Sequence, residues 1–316
     1  MKLQTNLYLK KQTNNPIDYA SKIFLLGSCF SENIGDKLSY YKFQSKQNPF
    51  GILFHPKAIE LLIINAVRQH KYTEKDLIFQ NERWHCFAAH SSLSSTDKNE
   101  VLTNLNAALA ETKKQLEEAS HLVITLGTSW VYRYLKEGTI VANCHKVPQK
   151  EFSKELLSSA EVSEILSNIT TLLKTVNSKA VIVFTISPVR HLKDGFVENM
   201  RSKAHLIAGV HETIASEAKS FYFPSYEIVM DELRDYRFYD ADLVHPNKTG
   251  IHYIWEKFTD SWFCEASRTT MREVESIQKG LSHKSFNEMS DQHQQFLKNL
   301  EKKKKEITAK HPFISF

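Results

Sequence analysis

Short apolar runs at residues 23–26, 122–126, 180–186 and 221–223 recur along the chain, each separated from the next by a stretch of helix length or longer. A run of this kind, bounded by Gly, Pro or Ser, reads as a strand buried on both faces. Strands joined by long crossovers run parallel, because a tight turn can only reverse the chain. A shorter run at 42–45 supplies one more strand. The expected architecture is a five-stranded, doubly wound α/β sheet forming one domain over residues 1–265.

Helix signals fill the intervals. Residues 31–40 read as a helix, and Pro56 suits the first turn of another running to about residue 68. Asp97 with Glu100 makes a capping-box-like start for a helix carrying Val101, Leu102, Leu105, Ala108 and Leu109. Further helices are expected over 153–176, 198–218 and 251–263, the last capped by Asn247. Two hairpin insertions are expected, one from 77–79 with 84–87 and one from 131–134 with 139–142. Residues 266–316 are rich in Gln and Lys and read as a helical C-terminal extension that packs on the domain or mediates association.

Composition narrows the function classes. The 41% hydrophobic and 24% charged content is that of a soluble globular protein. No apolar run reaches the ~18 residues of a membrane span. The stretch from Met1 to Tyr8 lacks the apolar core of a secretory leader, so a cytoplasmic protein is expected. The cysteines Cys29, Cys86, Cys144 and Cys264 are scattered and read as reduced thiols. Cys86 lies near His85 and His90, and Cys144 beside His145, but neither group has metal-ligand spacing. No metal and no cofactor are expected. A net charge of +5 falls largely on the tail, around Lys298 and Lys302 to Lys305. It forms no basic face with interleaved aromatics, so nucleic acid is not an expected partner.

Two motifs carry chemistry. At the first strand's end stands Leu26-Gly27-Ser28-Cys29-Phe30-Ser31, which opens a helix. Strand ends of a parallel sheet bind ligands, and a helix N-terminus favours an anion such as a thiolate. Far downstream, Asp242-Leu243-Val244-His245-Pro246-Asn247 puts a carboxylate and an imidazole in one loop. A carboxylate beside an imidazole fixes its tautomer and supports its protonated form, which an activated nucleophile requires. Arg190 and His191 follow a strand end and should face the same cleft; Arg190 is read either as a surface ion pair or as a ligand for a substrate anion.

These residues resemble the GSCFA family, a bacterial group. The resemblance rests on Gly27-Ser28-Cys29-Phe30-Ser31-Glu32-Asn33 (Ser31 where Ala is usual) and on Asn48-Pro49-Phe50-Gly51. It extends to Leu126-Gly127-Thr128-Ser129-Trp130, Asn143-Cys144-His145-Lys146, Ser187-Pro188-Val189-Arg190-His191 and the Asp242 to Asn247 stretch. It covers roughly residues 3–260.

The family is grouped with the SGNH/GDSL hydrolases. That implies a flavodoxin-like three-layer α/β/α sandwich with a mostly parallel five-stranded sheet, here with two hairpin insertions and a C-terminal helical appendage. It also implies roles. Aligning Gly27 with the superfamily's first glycine makes Cys29 the nucleophile; sliding by one residue makes it Ser28. Gly51 matches the second block, an oxyanion donor. Gly127-Thr128-Ser129 matches the third, with Ser129 where the superfamily has Asn. Asp242 and His245 match the fourth unchanged. His145 and Lys146 are candidate substrate contacts in an insertion beside the cleft.

A thiol next to a helix N-terminus and an imidazole can have its pKa lowered into the reactive range, which is compatible with acyl transfer through a thioester. The implied activity is hydrolysis or acyl transfer on small or carbohydrate esters. A non-catalytic small-ligand module on the same fold is the alternative, motivated by the altered third block.

Overall fold

The structure, a computed structural model, describes residues 5–316; Met1, Lys2, Leu3 and Gln4, within the stretch read for a leader, lie outside them. Along the chain run β1 (Lys22–Gly27), α1 (Cys29–Tyr40), β2 (Gln44–Gln47), α2 (Pro56–Val67), β3 (Leu77–Gln80), β4 (Arg83–Cys86) and α3 (Lys98–Glu118). Then come β5 (His121–Leu126), β6 (Trp130–Tyr134), β7 (Thr139–Val141), β8 (Phe152–Leu156), α4 (Ser159–Val176), β9 (Val181–Ile186) and α5 (Phe196–Ser216). The chain closes with β10 (Ser220–Phe223), the short turn α6 (Ser225–Glu227), α7 (Lys248–Trp262), α8 (Glu265–Ser282) and α9 (Asp291–Lys310).

The central sheet has the order β10-β9-β5-β1-β2, and every pairing in it is parallel. Numbered within the sheet this is 2-1-3-4-5, the flavodoxin-like doubly wound order. Alternate side chains sort to opposite faces. Phe24, Leu26, Leu122, Ile124, Ile182 and Phe184 join one core with Leu62 of α2, Leu105 of α3, Leu166 of α4 and Leu206 of α5. Ile23, Leu25, Val123, Val181 and Val183 join the other with Ile34 and Leu38 of α1 and Trp255 and Phe258 of α7. Three layers follow, as expected.

The same second core takes in Met271, Val274 and Ile277 of α8 and Leu300 and Ile307 of α9. The spacing of three residues along α8 puts those side chains on one stripe facing the domain. Among the described residues, no helix is long and apolar enough to cross a membrane.

The insertions differ from expectation in one respect. The first is the two-stranded hairpin β3-β4. The second is three-stranded, because residues 152–156 extend and pair antiparallel with β6, where the helix expected over 153–176 would have begun. Helix α4 starts later, where Ser158 and Glu161 form a full capping box. A reciprocal box outcompetes helical propensity upstream because it satisfies two orphan N–H groups at once.

Helix α1 starts two residues earlier than its apolar spacing suggested, because Ser28 is its N-cap and accepts from Phe30 N at 3.4 Å. Ser28 is only 2% exposed. Ser28→Ala is therefore expected to cost about 1 kcal/mol of stability, measured by urea denaturation.

Candidate active site

The end of β1 opens the candidate site with a turn that only glycine can make. Gly27 sits at φ +136°, and a Cβ there would lie 2.1 Å from the Thr125 carbonyl oxygen. Its N–H donates to Asn48 Oδ1 at 2.9 Å, and Ser28 N–H donates to Thr125 O at 3.1 Å. These bonds turn the chain sharply out of β1 into α1. The two nucleophile candidates then part company. Ser28 is buried and caps the helix, whereas Cys29 is its first residue and half-buried.

The Cys29 thiol pKa is raised, not lowered as a helix N-terminus can do. Burial pushes it up, as does the Glu32 carboxylate one turn along. The Phe30 and Cys29 N–H groups and the Lys203 ammonium pull the other way without prevailing. Desolvating a thiolate outweighs the helix terminus here.

The Asp242–His245 pair forms as expected. Asp242 Oδ2 lies 2.6 Å from His245 Nδ1, while Oδ1 accepts from Val244 N at 2.9 Å and His245 N at 3.0 Å. These backbone donors, followed by the ring, hold the Asp242 carboxyl down at about 2. A carboxylate on Nδ1 keeps the neutral ring's proton there and leaves Nε2 as the basic nitrogen. Both side chains are about half exposed (48% and 50%).

The loop that carries them is pinned. Asp240 N donates to His245 O, and Asn247 Nδ2 donates to Arg237 O at 2.7 Å and Tyr239 O at 3.1 Å. Asn247 Oδ1 caps α7 through Thr249 N and Gly250 N. Leu243 takes a left-handed φ of +59° so that the loop can close, an unusual conformation for a side chain of that size.

Three expected oxyanion donors are otherwise engaged, and this corrects the sequence reading. Gly51 N–H donates to Asn48 O at 2.8 Å, closing the turn at 48–51. Gly127 N–H donates to Phe54 O at 2.7 Å. Ser129 is fully buried: its N–H donates to Ser202 Oγ at 2.8 Å and its hydroxyl to Ser202 O at 3.1 Å. A serine is too short to reach back over the edge and is drawn to the nearest backbone carbonyl instead.

His191 lies at the edge. Its Nε2 is buried without a partner, and a Cβ at Gly127 would lie 3.1 Å from it, with Phe54 Cβ at 3.0 Å and Phe54 O at 3.1 Å. Burial, then Lys203 and His245, push His191 down to about 4, so the ring is neutral. Arg190 has no carboxylate partner among the described residues; its Nη2 contacts Met230 Sδ at 2.7 Å. It lines a cavity of about 240 Å³ with Tyr236 and Tyr239.

His145 is not a cleft residue. It is buried in the insertion, with Nε2 on Cys86 O at 2.8 Å and its ring stacked on His85 at 4.6 Å. Lys146 is exposed on the turn after β7. No hydrogen bond joins Cys29 to His245. Electrostatics links the group instead: Lys203 acts on Cys29 and His191, and His245 acts on His191.

Two residues were missed by sequence reasoning. Asn48 is 8% exposed, and its Nδ2 has no partner although Oδ1 is bonded to Gly27 N. It belongs to the Asn48-Pro49-Phe50-Gly51 stretch. Lys203 is fully buried; its signal was a lysine on the inward stripe of α5 with Asn199, Ser202 and Leu206.

The model of the GSCFA family matches residues 22–258, and one described as GSCFA domain protein, C-terminal domain, matches residues 274–316. No curated protein matches the chain. An acetyl xylan esterase (Est2A) from the rumen bacterium Butyrivibrio proteoclasticus is similar in structure at 11% identity, with a TM-score of 0.37. The match covers 78% of this chain and 64% of that one, so this chain spans less than two thirds of the esterase.

Proposed function

The chain belongs to the GSCFA family, and from that premise and its sheet-edge residues we propose that it is an SGNH-type hydrolase or acyltransferase. It acts on acyl esters, acylated carbohydrates among them, in the cytoplasm. The single observation that carries this reading is the 2.6 Å Asp242–His245 pair.

In this reading Cys29 Sγ attacks the acyl carbonyl as His245 Nε2 takes the thiol proton. The carbonyl π pair moves to oxygen, then returns to expel the alkoxide, which His245 protonates. A thioester on Cys29 remains for water or an alcohol to attack. Asp242 holds the imidazolium. Cys29 N–H at the helix start and Asn48 Nδ2 are the donors left for the oxyanion, each of the kind that can be worth about 10²–10³ in rate.

A second reading, a non-catalytic ligand module, is favoured by one observation: Gly51, Gly127 and Ser129 all have their donors engaged elsewhere. Purified protein offered short-chain nitrophenyl esters and acetylated sugars separates the two. Turnover with an acyl adduct on the Cys29 peptide is expected; absence of both, with sugar binding retained, selects the module.

A further inference from the structure

Arg190 is a half-buried charge that the proposed reaction leaves unused. A guanidinium stays charged and presents its N–H donors in a planar fork. Among the described residues no carboxylate pairs with it. Its Nη2 meets the thioether of Met230 at 2.7 Å, and sulfur is a weak acceptor. A partly desolvated cation with so poor a partner favours an anion.

The cavity that Arg190 lines holds about 240 Å³, the room of about eight waters. Val229 and Leu233, each 1% exposed, give it an apolar side. Tyr236 and Tyr239 line it as well, their rings 6.2 Å apart, and Tyr236 is exposed, so the cavity opens to solvent there. Its other charges are already matched. Asp235 accepts from Arg237 N at 2.8 Å and from Arg237 Nη2 at 2.9 Å, and Arg234 pairs with Asp231 at 3.5 Å. Arg190 is the cation of the lining left without a carboxylate among the described residues. Burial raises the Tyr239 phenol against the pull of Arg190, so its hydroxyl keeps the proton and can donate.

This cavity is built onto the loop of the proposed base. Tyr239 pairs across an antiparallel bridge with Pro246, the residue after His245. Asp240 N donates to His245 O at 2.8 Å, and Asn247 Nδ2 to Tyr239 O at 3.1 Å. Backbones so bridged lie about 5 Å apart, which puts a ligand held at Arg190 within a small molecule's length of His245. One guanidinium balances one negative charge, and its fork matches the two oxygens of a carboxylate. A phosphate dianion would call for a second free cation, which the lining does not offer.

We propose that this cavity is a carboxylate subsite: Arg190 binds a carboxylate carried by the substrate, and Tyr236 and Tyr239 cover the carbon skeleton beside it. The substrate class is then an acyl ester bearing a free carboxylate, acylated sugar acids among them. The inference deepens the hydrolase reading and rests on it for the ester, while binding of the carboxylate is measured apart from turnover.

The full chain is titrated calorimetrically with 4-hydroxybenzoate and with 4-hydroxybenzamide, its neutral counterpart of similar shape. The wild type is expected to bind the acid about tenfold more tightly than the amide. Arg190→Met is expected to abolish that preference, and Arg190→Lys to keep part of it, since an ammonium retains the charge without the fork. Equal affinities in the wild type overturn the proposal whether or not a variant folds, and so does a preference that survives Arg190→Met. Tighter binding of 4-hydroxyphenyl phosphate than of the acid overturns it in favour of a phosphate site. In turnover, 4-acetoxybenzoate is expected to exceed 4-acetoxybenzamide about tenfold in kcat/KM, a ratio that falls towards unity in Arg190→Met. A binding preference for the acid without ester turnover removes the hydrolase reading and leaves the subsite standing; turnover of both esters with no preference does the reverse.

Discussion

Cys29→Ala is expected to reduce kcat/KM on nitrophenyl acetate by about 10³-fold or more, with far-ultraviolet circular dichroism unchanged. The loss is large because the sulfur forms the covalent intermediate, and no neighbouring side chain can take its place. Ser28, the adjacent hydroxyl, is buried and bonded to Phe30 N, so it cannot reach the edge without uncapping α1. Ser28→Ala is accordingly expected to leave turnover within about threefold of wild type once its lower stability is allowed for. Cys29→Ser is expected to retain part of the activity, since the Asp242–His245 pair can serve a hydroxyl as base. Full activity in Cys29→Ala together with its loss in Ser28→Ala would transfer the role to the serine.

Gly27→Ala is expected to lower unfolding stability by about 3–5 kcal/mol, read as a shift of the urea midpoint at constant slope. Two effects combine. The added methyl would lie 2.1 Å from Thr125 O, a contact with backbone that no rotamer relieves. The φ of +136° is also one that side-chain-bearing residues rarely adopt. Relief requires β1 and β5 to separate at their shared edge, which breaks the Ser28 N–H to Thr125 O bond and moves Cys29. Activity should therefore fall even under conditions where the variant is still folded. A shift under about 1 kcal/mol, near the usual scatter of surface substitutions, would mean that β1 and β5 yield at this turn without loss.

The sheet was legible because its strands are apolar on both faces, a pattern that depends on local sequence alone. The same holds for Asn247 as a cap and for the Asp242–His245 pair, where the partners are three residues apart. What was not legible was set by contacts distant in sequence. Residues 152–156 are a strand because β6 is there to receive them. Ser129 looked like an oxyanion donor until Ser202, seventy-three positions away, claimed its hydroxyl. His145 looked like a cleft residue until the insertion folded it against His85. The thiol's upward shift depends on how deeply α1 is buried, which no motif encodes. Lys203 was hidden for the opposite reason: a lysine in an amphipathic helix is ordinarily solvent-facing, and only the register of α5 turns this one inward.

The way α8 and α9 share apolar contacts with α1 and α7 bears on how the molecule can be cut. Trp255 stacks on Tyr41 at 5.6 Å, Gln278 reaches Tyr40 O, and Ile277, Leu300 and Ile307 close over the same cluster. A shortened chain ending near Cys264 would bare a greasy wall directly behind the helix whose first residue is Cys29. Trimming this protein for crystallography or fusion is thus no neutral edit. Whatever activity such a truncation lost would report on a wetted interior rather than on chemistry performed by the missing residues.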